Sequence, residues 1–309
     1  MRGSSTRPFS TWRSRAGSAG IALRGGAVRT TNRPAGLPRG PACHLHAGHR
    51  SLLKVEVAVQ TGGENMVSET IAQSDLDLLR QYDTPTICNV IELFDVRPRS
   101  AGYMDRRITC CFPEMPPMVG YAATATFRSA APPGAGDAYS GLEGQVAAFA
   151  RIPGPPIVVF QDLDVPPAGA TFGEIMCATY KAFGAVGLIT SGTGRDLDQV
   201  RALDFPVFAD GVVCSHGYNH ILSVHVPVHV GGITVYPGDL LHGDRNGVTT
   251  IPSTIAHQVA HACAEYAAAE AVVLNCLKSG AVSPEALAKA RSEQRQLVAA
   301  LQERVRLAH

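Results

Sequence analysis

A chain of 309 residues, 45% hydrophobic and 17% charged, is long and apolar enough to bury a sizeable globular core. Its formal net charge of +1 argues against a polyanionic partner such as nucleic acid, and no apolar run is long enough to span a bilayer. Eight cysteines with no CxxC spacing, Cys110 and Cys111 being adjacent, argue for reduced, mostly buried thiols rather than a disulfide framework or zinc ribbon.

The first 65 residues stand apart. No Asp or Glu precedes Glu56, whereas Arg recurs at positions 2, 7, 13, 15, 24, 29, 33, 39 and 50 among Ser, Thr, Gly and Pro. Such a segment has little to bury and is expected to be disordered. Two readings stay open. One is a mitochondrial transit peptide, Arg- and Ser-rich and free of acids. The other is a stretch upstream of the natural start: codons for Gly62, Gly63, Glu64 and Asn65 can spell a purine-rich ribosome-binding sequence just before Met66. The second reading makes the protein cytoplasmic and 66–309 the folded domain.

Along that domain, a helix is expected over 74–82, capped by Ser74 or Asp75, with Leu76, Leu78 and Leu79 apolar. A second is expected over 85–94, with Thr84 as cap and Pro85 in the first position. Residues 118–128 read as a strand, 132–139 as a loop and 140–150 as a helix. A Pro-Gly-Pro-Pro run at 153–156 then delivers the chain into its most informative stretch.

Residues 157–160 form a short β-branched apolar run fit for a buried strand. Pro166, Pro167 and Gly169 break the chain, helix formers run over 173–183, and 186–190 is a second apolar run closed by Ser191-Gly192-Thr193-Gly194. Strand, helix and strand in this order make a βαβ unit, and ligands tend to sit at the carboxyl ends of such strands. Three charged residues mark that edge: Glu174 at the helix start, then Arg195 and Asp196 after the second strand. First-turn amides of Ile175 and Met176 favour an anion. Arg195 offers a planar fork for a carboxylate, and Asp196 is a hard oxygen ligand for a cation such as Mg²⁺. The set describes a site for a small keto acid with a divalent metal; the bland alternative is an exposed salt bridge. Asp162 and Asp164, after the first strand, read as turn formers, with metal contact as the alternative.

Downstream, 197–203 reads as a short helix and 205–208 as a strand. His216 and His220 lie in a loop and are candidates for substrate contact, against ordinary hydrogen-bonded histidines. Residues 224–230 and 233–236 flank Gly231-Gly232, and 240–242 and 248–251 flank Asp244-Arg245-Asn246-Gly247, two hairpin signals. An Ala-rich helix over 253–278 carries His257, His261 and Glu265 at four-residue spacing, either a metal stripe or an ordinary helix face. A last helix, capped by Ser283, reaches about residue 307 and is expected to pack on a neighbouring subunit. No glycine-rich dinucleotide fingerprint or phosphate loop occurs, which argues against nucleotide enzymes.

Glu174, twenty intervening residues, then Arg195-Asp196, followed by FPVFADGVVCSHGYNH and VGGITVYPGDLLHGDRNGVTTIP, resemble the family of 4-hydroxy-4-methyl-2-oxoglutarate aldolases and RraA-like proteins over residues 75–275. The resemblance implies an α/β fold, a β/β/α swivelling-type sandwich with flanking N- and C-terminal helices. It implies a homotrimer or homohexamer with sites at subunit interfaces, and it brings the helix of Thr86 and Asn89 close to the site, where the two either stand behind it or only cap and pack that helix. It further implies a divalent-metal-dependent lyase for a small 2-oxo acid, working through a pyruvate enolate as aldolase or oxaloacetate decarboxylase. In that reading Asp196 holds Mg²⁺ or Mn²⁺. Gly173, Glu174, Ile175, Met176 and Arg195 bind the substrate, Glu174 and Arg195 are catalytic, and Glu174 handles a proton-relaying water. Two departures stand out: Glu174 occupies the place of the usual Asp, and Gln199 follows where an acid is common. The family also holds non-catalytic regulators that bind a ribonuclease or another protein, and these form the alternative.

Overall fold

The computed structural model describes residues 70–307 except 138 and 281. Residues 1–65, with the expectations placed on them, lie outside the described part.

The elements in chain order are α1 (Gln73–Leu79), α2 (Thr84–Glu92), β1 (Thr109–Cys110), β2 (Met118–Arg128), α3 (Leu142–Ala148), β3 (Pro156–Asp162), β4 (Ala170–Phe172), α4 (Glu174–Ala182), β5 (Gly187–Thr190), β6 (Thr193–Gly194), α5 (Leu197–Ala202), β7 (Val207–Ala209), β8 (His220–Val224), β9 (Val228–Val230), β10 (Ile233–Val235), β11 (Leu240–Asp244), β12 (Gly247–Ile251), α6 (Ala256–Lys278) and α7 (Pro284–Leu307). The fold is mixed α/β, as expected, with helices flanking the sheet at both ends of the domain.

The main sheet runs β1-β7-β5-β3-β2-β11-β12. Its centre is parallel, β2 with β3, β3 with β5 and β5 with β7. Each of those joins crosses over through a helix, because parallel neighbours need a long return. β2 is long enough to serve two partners on its other edge: β11 pairs with Met118–Tyr121 and β8 with Ala125–Arg128. β3 is buried along nearly all its length, which is why its β-branched run has no polar alternation. Ile157 and Val159 pack with Val228, Val230 and Val235 on one face, and Val158 and Phe160 pack with Met176, Cys177 and Tyr180 of α4 on the other. Tyr180 is fully buried and donates its hydroxyl to Gln145 Oε1 at 2.5 Å. Truncating a ring such as Phe160 here would cost ~3–5 kcal/mol.

A third apolar cluster joins α1, α2, α6 and the end of α7 to β2 and β11. The end of the last helix packs on its own chain, where Leu301 and Val305 are buried and Arg304 pairs with Glu265 of α6 at 2.6 Å, while Leu297 stays exposed.

Both helix caps near the start differ from expectation. Asp83, not Thr84, caps α2, accepting from Thr86 N–H at 2.9 Å. Asp75 caps nothing; it sits inside α1 and is buried. The segment 220–230 also differs. Val224 ends β8 rather than starting β9, because His225 adopts a left-handed conformation (φ 57°) between them. The β9–β10 turn is as expected, with Gly231 and Gly232 at φ 57° and 79°, where side chains are disfavoured.

Candidate active site

α4 begins without a side-chain cap of its own, since Gly173 is the N-cap residue. The missing acceptor comes from the far end of the βαβ unit: the Glu174 N–H donates to Asp196 Oδ2 at 3.2 Å. Two short strands bring these positions together. β4 and β6 pair in parallel, and the Arg195 N–H donates to Phe172 O at 3.1 Å just beyond the pairing. Gly194 is needed there because a Cβ would fall 2.1 Å from the Phe172 ring. Asp196 then turns left-handed (φ 56°, ψ 39°) to start α5, which directs its carboxylate back toward Gly173. A Cβ on Gly173 would lie 2.6 Å from Asp196 Oδ2 and 3.2 Å from Arg195 Nε.

The result is a small cavity of about 100 Å³. Gly173, Glu174, Ile175, Met176, Arg195 and Asp196 line it together with Tyr139, Ala170, Phe172, His216 and Asn219. All six residues singled out around the βαβ unit thus meet at one place. Arg195 Nε lies 3.6 Å from Asp196 Oδ2, and its Nη2 donates to the Tyr139 hydroxyl at 3.4 Å. Asp196 Oδ1 has no partner among the described residues. The first-turn amides of Ile175 and Met176 have no intrahelical acceptor, so the cavity wall presents donors and the positive end of a helix. Behind it, burial pushes the Cys177 thiol up, with Cys111 and Asp196 adding to the effect, so this sulfur stays neutral.

Other candidates fall elsewhere. His216 lines the cavity, its ring 5.5 Å from that of Tyr139 and its Nδ1 bonded to Gly217 O at 2.8 Å. His220 does not; it is buried at the start of β8 and bonds Tyr218 O. Asp164 is a turn former, accepting from the Ser129 and Ala130 amides at 2.7 and 2.8 Å and pairing with Arg128. Asp162 is buried, and burial above all pushes its carboxyl up to about 6. Thr86 and Asn89 sit on α2, which packs against α6 and β12, and neither lines the cavity of its own chain. Asp198 and Gln199 are outside it as well. Lys181 reaches Leu203 O and is exposed.

Tyr139 and Asn219 are the cavity residues that reading the chain missed. Tyr139 lies in a polar loop with no periodicity to mark it. Asn219 is 2% exposed with an Oδ1 that has no partner among the described residues.

The family model described as RraA-like: Aldolase/RraA matches residues 84–250. The chain belongs to the RraA-like family. Among similar proteins, one of Halalkalibacterium halodurans, provisionally named a 4-hydroxy-4-methyl-2-oxoglutarate aldolase, is 29% identical over 184 residues, 59% of this chain and 80% of the relative. A second with the same provisional name, from Ectopseudomonas mendocina, is 30% identical over 90 residues, 28% of this chain and 54% of the relative. In fold, this RraA-like chain is similar to an uncharacterised protein of Pseudomonas syringae pv. tomato, with a TM-score of 0.57 at 24% identity, covering 72% of this chain and 94% of that one.

Proposed function

We propose that this protein is a divalent-metal-dependent lyase that cleaves small 2-oxo acids through a pyruvate enolate. One observation carries the reading: an unpartnered carboxylate oxygen of Asp196, a guanidinium and a helix N-terminus converge on one small cavity. The Asp196 carboxylate, with the Glu174 side chain on the same cavity, suits a hard cation such as Mg²⁺ or Mn²⁺, which takes one or two carboxylates and keeps most of its waters. Such a cation, held by Asp196, would supply Lewis-acid stabilisation of developing enolate charge.

The remaining work belongs to the chain. Arg195 and the amides of Ile175 and Met176 bind the substrate carboxylate and fix its plane. Gly173 keeps the wall thin enough for that approach. Glu174 accepts a proton from the bound water or the substrate hydroxyl and returns it to the enolate carbon. Asn219 Oδ1 offers an acceptor for a substrate hydroxyl. Oxaloacetate decarboxylation and aldol cleavage leave the same enolate, so one site serves both. The resemblance to aldolase-named relatives supports the reading. Assembly into a trimer or hexamer rests on the family resemblance alone.

The test is pyruvate release from oxaloacetate and from 4-hydroxy-4-methyl-2-oxoglutarate, with Mg²⁺, with chelator, and with Asp196→Ala. Metal-dependent release that falls by at least ~10²-fold in the variant supports the lyase. Release no faster than with metal alone would sink it in favour of a non-catalytic binding protein.

A further inference from the structure

A second set of ligand-type side chains lies where α1 crosses α6, away from the cavity. His257 and His261 are one turn apart on α6 and share a face, with ring centroids 4.6 Å apart. Asp75 of α1 lies between them: its Oδ2 is 2.9 Å from His257 Nδ1 and its Oδ1 is 3.1 Å from His261 Nε2. One ligand atom from each residue falls within 4.8 Å of the other two.

The arrangement is odd for a simple tie between helices. Asp75 shares the buried face of α1 with Leu76 and Leu79, and its side chain is only 5% exposed. A carboxylate so placed is costly unless its charge is met. Among the described residues no Lys or Arg meets it; its side-chain partners are the two imidazoles. These remain 64% and 54% exposed, so the imidazole side of the set faces solvent while the carboxylate lies beneath it. Burial alone would raise the Asp75 carboxyl, but the two histidines hold it below the usual carboxylate range, so it is an anion. Glu265, the next residue in the four-residue series, is not part of the set, because Arg304 holds it at 2.6 Å.

We propose that Asp75, His257 and His261 form a binding site for a transition-metal dication of the zinc class, which clamps α1 to α6. Two imidazole nitrogens and one carboxylate oxygen are the donor set such ions select, and Mg²⁺ does not. Metal–ligand distances of about 2.0–2.2 Å in a tetrahedron put donor atoms about 3.3–3.5 Å apart. The two short separations, 2.9 Å to Oδ2 and 3.1 Å to Oδ1, run to different carboxylate oxygens, and one donor atom from each residue lies within 4.8 Å of the others, so rotation of the two rings and the carboxylate brings three donors to that spacing. On binding, the proton on each nitrogen facing Asp75 moves to the other ring nitrogen or to solvent. Water completes the coordination. The site is independent of the lyase reading and takes a different metal.

The experiment titrates Zn²⁺ into chelator-stripped protein in competition with a chromophoric zinc chelator, in an Asp196→Ala background so that the cavity cannot contribute. The expected result is one zinc per chain, a zinc-dependent rise in melting temperature, and binding at least ~10-fold weaker in His257→Ala/His261→Ala. His261→Gln keeps a donor toward Asp75 but removes the imidazole ligand. It should stay as well folded as the parent by circular dichroism and lose the tight zinc. Co²⁺ should give strong visible d–d bands in the parent and lose them in both variants. Equal zinc affinity and equal thermal shift in parent and variants, or no competition by the parent protein, overturns the proposal.

Discussion

Around Asp196 the ligand-type groups are oxygens, a guanidinium and backbone amides, all drawn from residues 173–196 except for the side chains of Tyr139, His216 and Asn219. Around Asp75 they are two imidazoles and a carboxylate from helices 182 and 186 positions apart in the chain. The first cluster depends on backbone: a glycine without Cβ, a left-handed aspartate and a helix N-terminus. The second depends on side chains alone, laid between two regular helices. Backbone-built sites bind weakly held, oxygen-loving cations and anions, because amides and single carboxylates leave much of a ligand's own shell in place. Side-chain sites rich in nitrogen replace that shell. The two clusters should therefore differ in metal preference and in their sensitivity to replacement.

The sharpest break in the comparison is Asp196→Ala, which should abolish measurable pyruvate release while leaving the zinc titration unchanged; the two His replacements should do the reverse. Next in size is Gly173→Ala. Its methyl group would push Asp196 and Arg195 aside, and a displacement near 1 Å at such a site costs on the order of 10²-fold in kcat/KM. Steady-state rates on both substrates check this, and an unchanged rate would mean that the close approach does not matter to the chemistry.

A smaller effect is expected from His242, which belongs to neither cluster. It is fully buried, its Nε2 donates to Leu79 O at 3.0 Å, and its Nδ1 lies 3.0 Å from the Thr84 hydroxyl, so the ring is neutral. Burial holds it below the usual histidine value. The unfolded chain therefore binds the proton first, and this contribution to stability is present above about pH 6.5 and declines as pH falls below it. Asp162 works in the opposite direction: with its carboxyl pushed up to about 6, its contribution favours the folded state at low pH and is lost as pH rises through about 6. His242→Gln should flatten the decline in urea-unfolding free energy between pH 6.5 and 5, whereas an unchanged slope would assign the decline to other groups. The smallest change is Tyr139→Phe. It removes the 3.4 Å bond to Arg195 and should raise KM for the 2-oxo acid ~2–10-fold with little change in kcat.

The same contrast decides what was legible in the chain. The βαβ unit at 157–196 announced itself through two β-branched runs, a proline-glycine break and charges at the strand ends, and Glu174, Arg195 and Asp196 do meet. Local sequence carries local geometry. Asp75 looked like a helix cap because Asp near a helix start usually is one. Its partners are far away in sequence, and only the packing of α1 on α6 reveals the alternative. The metal stripe, weighed as an alternative to an ordinary helix face, included Glu265 for the same reason: spacing alone cannot see Arg304 arriving from α7. Tyr139 and Asn219 were hidden because loop residues carry no period, and the break at His225 was hidden because a left-handed histidine leaves no compositional mark.

The pairing of β4 with β6 fixes where Arg195 and Asp196 stand relative to Gly173 through main-chain bonds and ring packing on Gly194. Tyr139 reaches the cavity from a separate loop, tied at the Asn219 carbonyl through its own N–H at 2.8 Å. The charged groups and the Tyr139 ring thus stand on separate segments of the chain, joined by the Arg195–Tyr139 hydrogen bond. Exchanges at position 139 alter the contact to Arg195 without touching the main-chain bonds that set the register of β4 and β6.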